Sequence, residues 1–295
     1  MAWIEIHIDT EAAHAEALSD ALTELGASAI TLRDAGDAPV YEPAPGETPV
    51  WLKTTLVSLF TSTDDLTPIY AFLDTQKQQG VLSTYTTLAL ADQEWERVCL
   101  QDFKPLQFGK RLWVCPSWET PPDPAGITVI LDPGLAFGTG TSPTTALCLA
   151  WLDEHCVPGS TVIDYGCGSG ILALAALKLG AKKVLAVDYD PQAILATKDN
   201  GARNHLHEPE LEVALPENFH TDPVDLVMAN ILAKSLIELA ETLAAYTKLQ
   251  GRILLSGILR EQVDTVIAAY ETWFTLDETN YQGEWAQLSG TKHHL

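Results

Sequence analysis

VIDYGCGSG, residues 162–170, decides the fold of this chain. An apolar run ends at Asp164, and a turn with glycines at positions 166, 168 and 170 leads into ILALAALKLGA, which has helical spacing. This pattern predicts a buried strand, a tight glycine turn and the start of a helix. Glycines let a ligand approach the backbone closely, and the free N–H groups at a helix start point towards it. We therefore expect a nucleotide-like ligand at this turn.

Strands and helices alternate from residue 161 onwards. We expect strands at 161–165, 183–188, 211–215, 224–229 and 251–257, with helices between them and a hairpin over 273–290. This alternation predicts a doubly wound, mostly parallel α/β sheet of seven strands with helices on both faces. Such sheets bind ligands at the carboxyl ends of their strands. The glycine turn follows one such end.

The N-terminal part has a different order of elements. Residues 1–91 predict β-α-β-β-α-β, with Thr10 capping the first helix. This order is typical of a small ferredoxin-like α+β domain. The domain carries no catalytic cluster, so we interpret it as a substrate-recognition module. We expect a helical connector over 92–118 and the ligand-binding domain over 119–295. Short strands are expected at RLWVCPSW, residues 111–118, and ITVILDP, residues 127–133.

Charge limits the partners of this chain. The formal net charge is −23, and residues 1–91 hold thirteen acidic but only three basic side chains. Proteins that bind the negatively charged nucleic-acid backbone directly need a positively charged surface, so we expect no direct nucleic-acid binding. An acidic surface favours solubility or steers a basic protein partner, and both explanations stay open.

Other classes are disfavoured by what the sequence does not contain. The five cysteines are widely spaced without a CxxC pair, so neither a disulfide framework nor a zinc site is predicted. No apolar run reaches the roughly 18–20 residues of a membrane span. The first residues, MAWIEIHIDT, lack the features of a signal peptide. We therefore expect a cytoplasmic protein without a structural metal.

Two polar residues follow later strands of the predicted sheet. Asp188 ends the second strand, and its carboxylate is suited to accept both hydroxyls of a ribose. Asn230 ends the strand DLVMAN and brings amide donors and an acceptor to the same edge. The dinucleotide signature G-x-G-x-x-G would need glycine or alanine where Ile171 stands, which disfavours a pyrophosphate ligand and a nucleotide-dependent oxidoreductase.

The loop before the glycine turn is also unusual. LDPGLAFGTGTSPTT, residues 131–145, combines glycines and hydroxyls, and a helix is expected to begin at its Pro143. The loop is interpreted as a lid over the same ligand, with a plain hinge as the alternative.

Together these stretches resemble the class I S-adenosylmethionine-dependent methyltransferases, and more closely the ribosomal protein L11 methyltransferases of the PrmA type. The resemblance extends over essentially the whole chain. It rests on the lid loop, VIDYGCGSGILALAALKLGA, AVDYDPQAI, ANIL, WERVCLQDF and LSGIL. It implies transfer of methyl groups from S-adenosylmethionine to lysine side-chain and N-terminal amines of ribosomal protein L11. One departure is Ser142, where the family usually has His.

The resemblance also implies the site residues. Those expected to bind the cofactor are Phe137, Gly138, Thr139, Thr145, Gly166, Gly168, Gly170, Asp188 and Asn230. Asn230 is also the expected catalytic residue, because it would lie near the methyl group. The protein is expected to act as a monomer. The alternatives are a methyltransferase for another protein amine or a small molecule, and a non-catalytic ribosome-associated module.

Overall fold

A computed structural model describes residues 3–36, 50–90, 103–132 and 141–294. The chain divides into two compact units, Met1–Val98 and Cys99–Leu295, so the division falls within the predicted connector. Among the described helices, none combines the length and apolar character needed to cross a bilayer.

The first unit is a four-stranded antiparallel sheet with two helices. Its elements are β1 (Trp3–Glu11), α1 (Ala12–Glu24), β2 (Ala29–Asp34), β3 (Lys53–Thr61), α2 (Thr67–Gln78) and β4 (Leu82–Leu90). The strand order is β2-β3-β1-β4. Alternate residues of the strands, such as Ile6, Ile8 and Phe60, are fully buried in one core together with Leu22 of α1 and Leu73 of α2.

Thr10 does not cap the first helix, so that prediction was wrong. It lies in β1, and its hydroxyl donates to the carbonyl oxygen of Val81 at 2.6 Å. β1 stays paired with β3 as far as Glu11, opposite Lys53. Because strand pairing satisfies the backbone groups of these residues, the helix begins only at Ala12.

The second unit starts with a three-stranded sheet. It consists of β5 (Leu106–Phe108), β6 (Leu112–Cys115) and β7 (Ile127–Ile130). β6 confirms the short strand expected over 111–118, whereas β5 forms where the helical part of the connector was expected. The beginning of the connector, 92–102, lies outside the described residues. The turn at Gly109 has φ +65°, and Asp153 accepts the backbone N–H of Lys110 at 2.7 Å. This tertiary contact holds the turn between β5 and β6, so that β5 pairs with β6 instead of continuing a helix.

The main sheet has eight strands rather than the seven expected. They are β8 (Thr161–Tyr165), β9 (Lys183–Val187), β10 (Leu211–Ala214), β11 (Val224–Asn230), β12 (Thr247–Leu259), β13 (Phe274–Leu276), β14 (Asn280–Gln282) and β15 (Trp285–Lys292). Seven follow the order β10-β9-β8-β11-β12-β15-β13, and the short β14 also pairs with β15. The first five in this order are parallel, and β15 is antiparallel to β12.

Helices cover both faces of this sheet. They are α3 (Pro143–His155), α4 (Ile171–Lys178), α5 (Pro191–Arg203), α6 (Ala233–Glu238), α7 (Ala240–Tyr246) and α8 (Val263–Tyr270). Val162 and Met228 belong to the core beneath α3 and α4. Ile163 and Val227, the neighbouring residues, belong to the core beneath α6, α7 and α8. Because both faces are buried, the strands read as continuous apolar runs.

Candidate functional site

The glycine turn lies between β8 and α4, at the carboxyl edge of the sheet. Gly166, Gly168 and Gly170 have φ of +81°, +54° and +81°, a backbone conformation that favours glycine. A Cβ on Gly166 would lie 2.3 Å from Cγ2 of Ile231, and one on Gly170 would lie 2.7 Å from Cγ2 of Thr197. The three predicted glycines are therefore required both by backbone conformation and, at the two outer positions, by close packing.

Asp188 is connected to the same turn. One carboxylate oxygen accepts the N–H of Gly168 at 2.9 Å, and the other accepts the N–H of Asp190 at 3.0 Å. The side chain is buried, with 8% of its surface exposed. Each oxygen retains a second lone pair, so the carboxylate can still accept two hydroxyl groups of a ligand. This geometry suits the predicted contact to a ribose.

Asp164 is a site residue that the sequence interpretation missed. It is 1% exposed, and one carboxylate oxygen accepts the N–H of Ala173 at 3.0 Å. The other oxygen is buried, and no described residue donates a hydrogen bond to it. Burial raises the pKa of this carboxyl to about 7, against the effect of the Ala173 N–H and with a contribution from the negative charge of Asp188. A buried acceptor of this kind fits a cationic group of a ligand.

The raised pKa predicts a pH-dependent stability. The folded protein holds the Asp164 proton more strongly than the unfolded chain, so stability decreases as pH rises from about 4 to about 7. In the folded protein, ionisation of the buried Asp164 carboxyl lowers the free energy of unfolding, at pH 8 by about 4 kcal/mol at most. Asp164→Asn removes this ionisation and its effect on stability. Urea unfolding of the cofactor-free proteins should therefore show an advantage of the variant that grows between about pH 4 and about pH 7 and then levels off. Parallel stability curves would contradict this assignment.

Asn230 and Thr145, distant in sequence, meet at this edge. Asn230 ends β11, and its Nδ2 donates to Oγ1 of Thr145 at 3.2 Å. Thr145 lies in the first turn of α3 and is 1% exposed. Within the described ranges, the amide oxygen of Asn230 accepts no hydrogen bond. The pair therefore presents an oriented amide, whose acceptor remains available, beside the glycine turn.

The lid loop is only partly described. Phe137, Gly138 and Thr139, which were expected to contact the cofactor, lie outside the described residues. Ser142, just before α3, has its hydroxyl oxygen 2.9 Å from that of Thr144.

Two polar residues of α5 donate hydrogen bonds to backbone carbonyl oxygens of the glycine turn, and the sequence interpretation did not identify them. The Thr197 hydroxyl donates to the carbonyl oxygen of Gly168 at 3.0 Å, and Nδ2 of Asn200 donates to that of Ser169 at 2.9 Å. Both are buried. Their spacing of three residues places them on one face of a helix, a signal that sequence inspection could have used.

The described residues therefore bring five of the predicted positions to one edge beside Asn230. The turn offers close backbone approach, Asp188 fits a vicinal diol, Asp164 fits a cation, and Asn230 presents an amide. Such a set suits a nucleoside that carries positive charge.

Comparisons with known proteins agree with this arrangement. The model of the ribosomal protein L11 methyltransferase (PrmA) family matches residues 2–293. Ribosomal protein L11 methyltransferases of Alteromonas mediterranea and Shewanella halifaxensis are 49% and 48% identical, over 99% of this chain and 100% of theirs. A crystal structure of ribosomal protein L11 methylase from Lactobacillus delbrueckii subsp. bulgaricus is 33% identical, with a TM-score of 0.58 over 65% of this chain and 100% of that one. Since the match extends over nearly its whole length, this chain belongs to the ribosomal protein L11 methyltransferase family.

Proposed function

We propose that this chain transfers methyl groups from S-adenosylmethionine to lysine side-chain and N-terminal amines of ribosomal protein L11. Family membership makes it an S-adenosylmethionine-dependent methyltransferase of that ribosomal protein. The observation that carries the proposal is the Asn230–Thr145 pair, which lies at the same sheet edge as Asp188 and the glycine turn. The reaction is assigned to the cytoplasm, because ribosomal proteins are assembled into ribosomes in that compartment.

The residues at the edge fit the cofactor group by group. Asp188 would accept the ribose hydroxyls, and the unpartnered oxygen of Asp164 would accept the cationic amino group. Gly166, Gly168 and Gly170 leave the space in which the cofactor can approach the backbone. When bound, the cofactor supplies an electrophilic methyl group on a sulfonium. Thr145 would hold Asn230 in orientation beside that methyl group.

Asn230 is assigned to orient the acceptor amine. A lysine amine has a pKa near 10.4 and must lose its proton before it can attack. Positive charge close by lowers that pKa, and most of the acceleration then comes from positioning. The free amide oxygen of Asn230 would accept a hydrogen bond from the neutral amine. Ile231 and Leu232 follow it, so no aromatic face favours a flat acceptor such as a nucleobase.

The first unit is proposed to be a ferredoxin-like domain that binds the protein substrate. Its β-α-β-β-α-β order and antiparallel sheet support the domain type. Register places Glu5, His7 and Asp9 of β1 on the sheet face opposite the helix-covered core. The overall acidity of the unit would attract a basic ribosomal protein. Another protein amine or a small molecule is the alternative acceptor.

Intact-mass spectrometry tests the proposed function. Purified L11 is incubated with the enzyme and S-adenosylmethionine, next to an equally lysine-rich ribosomal protein as control. We expect stepwise mass increases of one methyl group on L11 only, mapped by fragmentation to lysines and the N-terminus. Methylation of the control alone, or of carboxylate or amide side chains, would overturn the proposal.

Asn230→Ala is predicted to reduce kcat on the order of 100-fold, because the amine loses its oriented acceptor. Binding of S-adenosylhomocysteine should weaken much less, since Asp188 and the turn remain. Single-turnover methylation of L11 and calorimetric titration measure the two effects. Thr145→Ser keeps the hydroxyl that positions Asn230 and serves as the matched control. Unchanged turnover at saturating cofactor would remove Asn230 from the mechanism.

A further inference from the structure

A row of polar side chains crosses four strands at the edge where Asn230 lies. Asn230 of β11 is in register with Ser256 of β12. Ser256 is opposite Gln287 of β15, which is itself opposite Asn280 of β14. Residues directly opposite each other in a ladder point to the same face of the sheet. The row therefore continues from the candidate site to the hairpin near the end of the chain.

Gln287 is the unusual member of this row. It is 1% exposed, and its Oε1 accepts Nδ2 of Asn280 at 2.9 Å. Its own Nε2 is buried and has no hydrogen-bond partner among the described residues. A buried donor without an acceptor costs folding free energy, and such atoms are uncommon in proteins. Because Asn280 is exposed, the row leads from the buried donor to the surface.

The strand order places Gln287 away from the cofactor residues. Gly166 follows β8 and Asp188 follows β9, and both strands lie on one side of β11. Ser256 and Gln287, on β12 and β15, lie on the other side. Methyl transfer is an in-line displacement, so the amine reaches the methyl carbon from the side opposite the sulfur. A cofactor held by Gly166 and Asp188 at the ends of β8 and β9 would leave the side of Asn230 towards the ends of β12 and β15 for the acceptor segment.

We infer that Gln287 is a positioning residue for the protein substrate, and that its side-chain N–H donates a hydrogen bond to a backbone carbonyl oxygen of the segment that carries the target amine. A lysine side chain offers no acceptor except the reacting nitrogen, whereas every peptide unit offers a carbonyl oxygen. The inference rests on the proposed function, because it uses Asn230 as the position of the methyl group. The buried N–H of Gln287 would then have a hydrogen-bond acceptor only in the substrate complex. A role in substrate binding explains why the protein keeps this residue although the unpaired donor lowers its stability.

The test compares Gln287→Met, which keeps the length and loses the donor, with Gln287→Glu, which keeps an acceptor for Asn280. Ser160→Ala is the matched control, because it also removes a buried polar atom. Ser160 directly precedes β8 and therefore lies at the edge of the sheet opposite the candidate site. The measurements are kcat and KM for L11, the Kd of S-adenosylhomocysteine and the Tm. We expect a fall of about tenfold in kcat/KM for both Gln287 variants, mainly through KM. The Kd should stay unchanged, the Tm of Gln287→Met should be equal or higher, and Ser160→Ala should keep its kinetics.

Three results would overturn the inference. Unchanged kinetics in both Gln287 variants would make the side chain a structural residue. A rise in Kd equal to the loss in kcat/KM would assign it to the cofactor. A lowered Tm with normal kcat/KM per folded molecule would again indicate a structural role. Failure of the proposed function is distinguishable, since the wild-type protein would then leave the mass of L11 unchanged.

Discussion

Asp188→Ala should lower the affinity for S-adenosylhomocysteine by about 100-fold or more. The substitution removes the proposed acceptor of the ribose hydroxyls. It also leaves the N–H groups of Gly168 and Asp190 without the carboxylate that they now contact at 2.9 and 3.0 Å. Ligand contact and turn geometry are therefore lost together. Asp188→Asn should be nearly as damaging, because one amide nitrogen would face a backbone N–H donor.

The neighbouring acid provides the control for this experiment. Asp190 carries the same charge two residues away, but its side chain accepts the N–H of Gln192 and caps α5. Asp190→Ala should cost about 1 kcal/mol of stability and leave the Kd nearly unchanged. Calorimetric titration of both variants separates a specific contact from a general loss of negative charge. Equal affinities of the two variants would refute the role of Asp188.

Removal of the first unit should abolish methylation of the protein substrate while cofactor binding persists. A fragment of residues 92–295 keeps every described residue of the site, so its Kd for S-adenosylhomocysteine should match that of the full chain. In the full chain, binding of L11 to the first unit would raise the effective concentration of its amines at the site. The fragment lacks this second binding surface. We expect at least about 100-fold slower methylation of L11 at low micromolar substrate.

The persistence of cofactor binding shows in the same experiment that the fragment is folded. Raising the L11 concentration should recover part of the rate, because the defect lies in substrate capture. Full activity of the fragment at low substrate would contradict a recognition role for residues 1–91. A loss of cofactor affinity as large as the loss of methylation rate would instead indicate that the first unit stabilises the second.

Local patterns were sufficient for most elements and for several site residues. The glycine turn and Asp188 each follow a buried strand, and Asn230 is the last residue of one. The parallel sheet therefore brings Gly166, Asp188 and Asn230 to one edge, as predicted. The helix beginning at Pro143 also follows from local chemistry, and it is confirmed. These features depend on residues within one turn of each other.

Features that depend on partners distant in sequence were not predictable in this way. Thr10 belongs to β1 because β3 and β4 pair with it, and β5 forms where Asp153 holds the turn at Gly109. The division of the helical segment between β11 and β12 into α6 and α7, at Leu239, was likewise not predicted.

The sequence by itself determined the alternation of strands and helices, the glycine turn and the residues at the carboxyl ends of the strands. It did so because side-chain periodicity and glycine conformation act locally. Only the tertiary structure decided that Thr145 contacts Asn230 and that Gln287 lies two strands from Asn230. It also decided that one oxygen of Asp164 is buried with no partner in the described part of the chain. Sheet register and burial join residues that are tens of positions apart, and no local pattern carries that information.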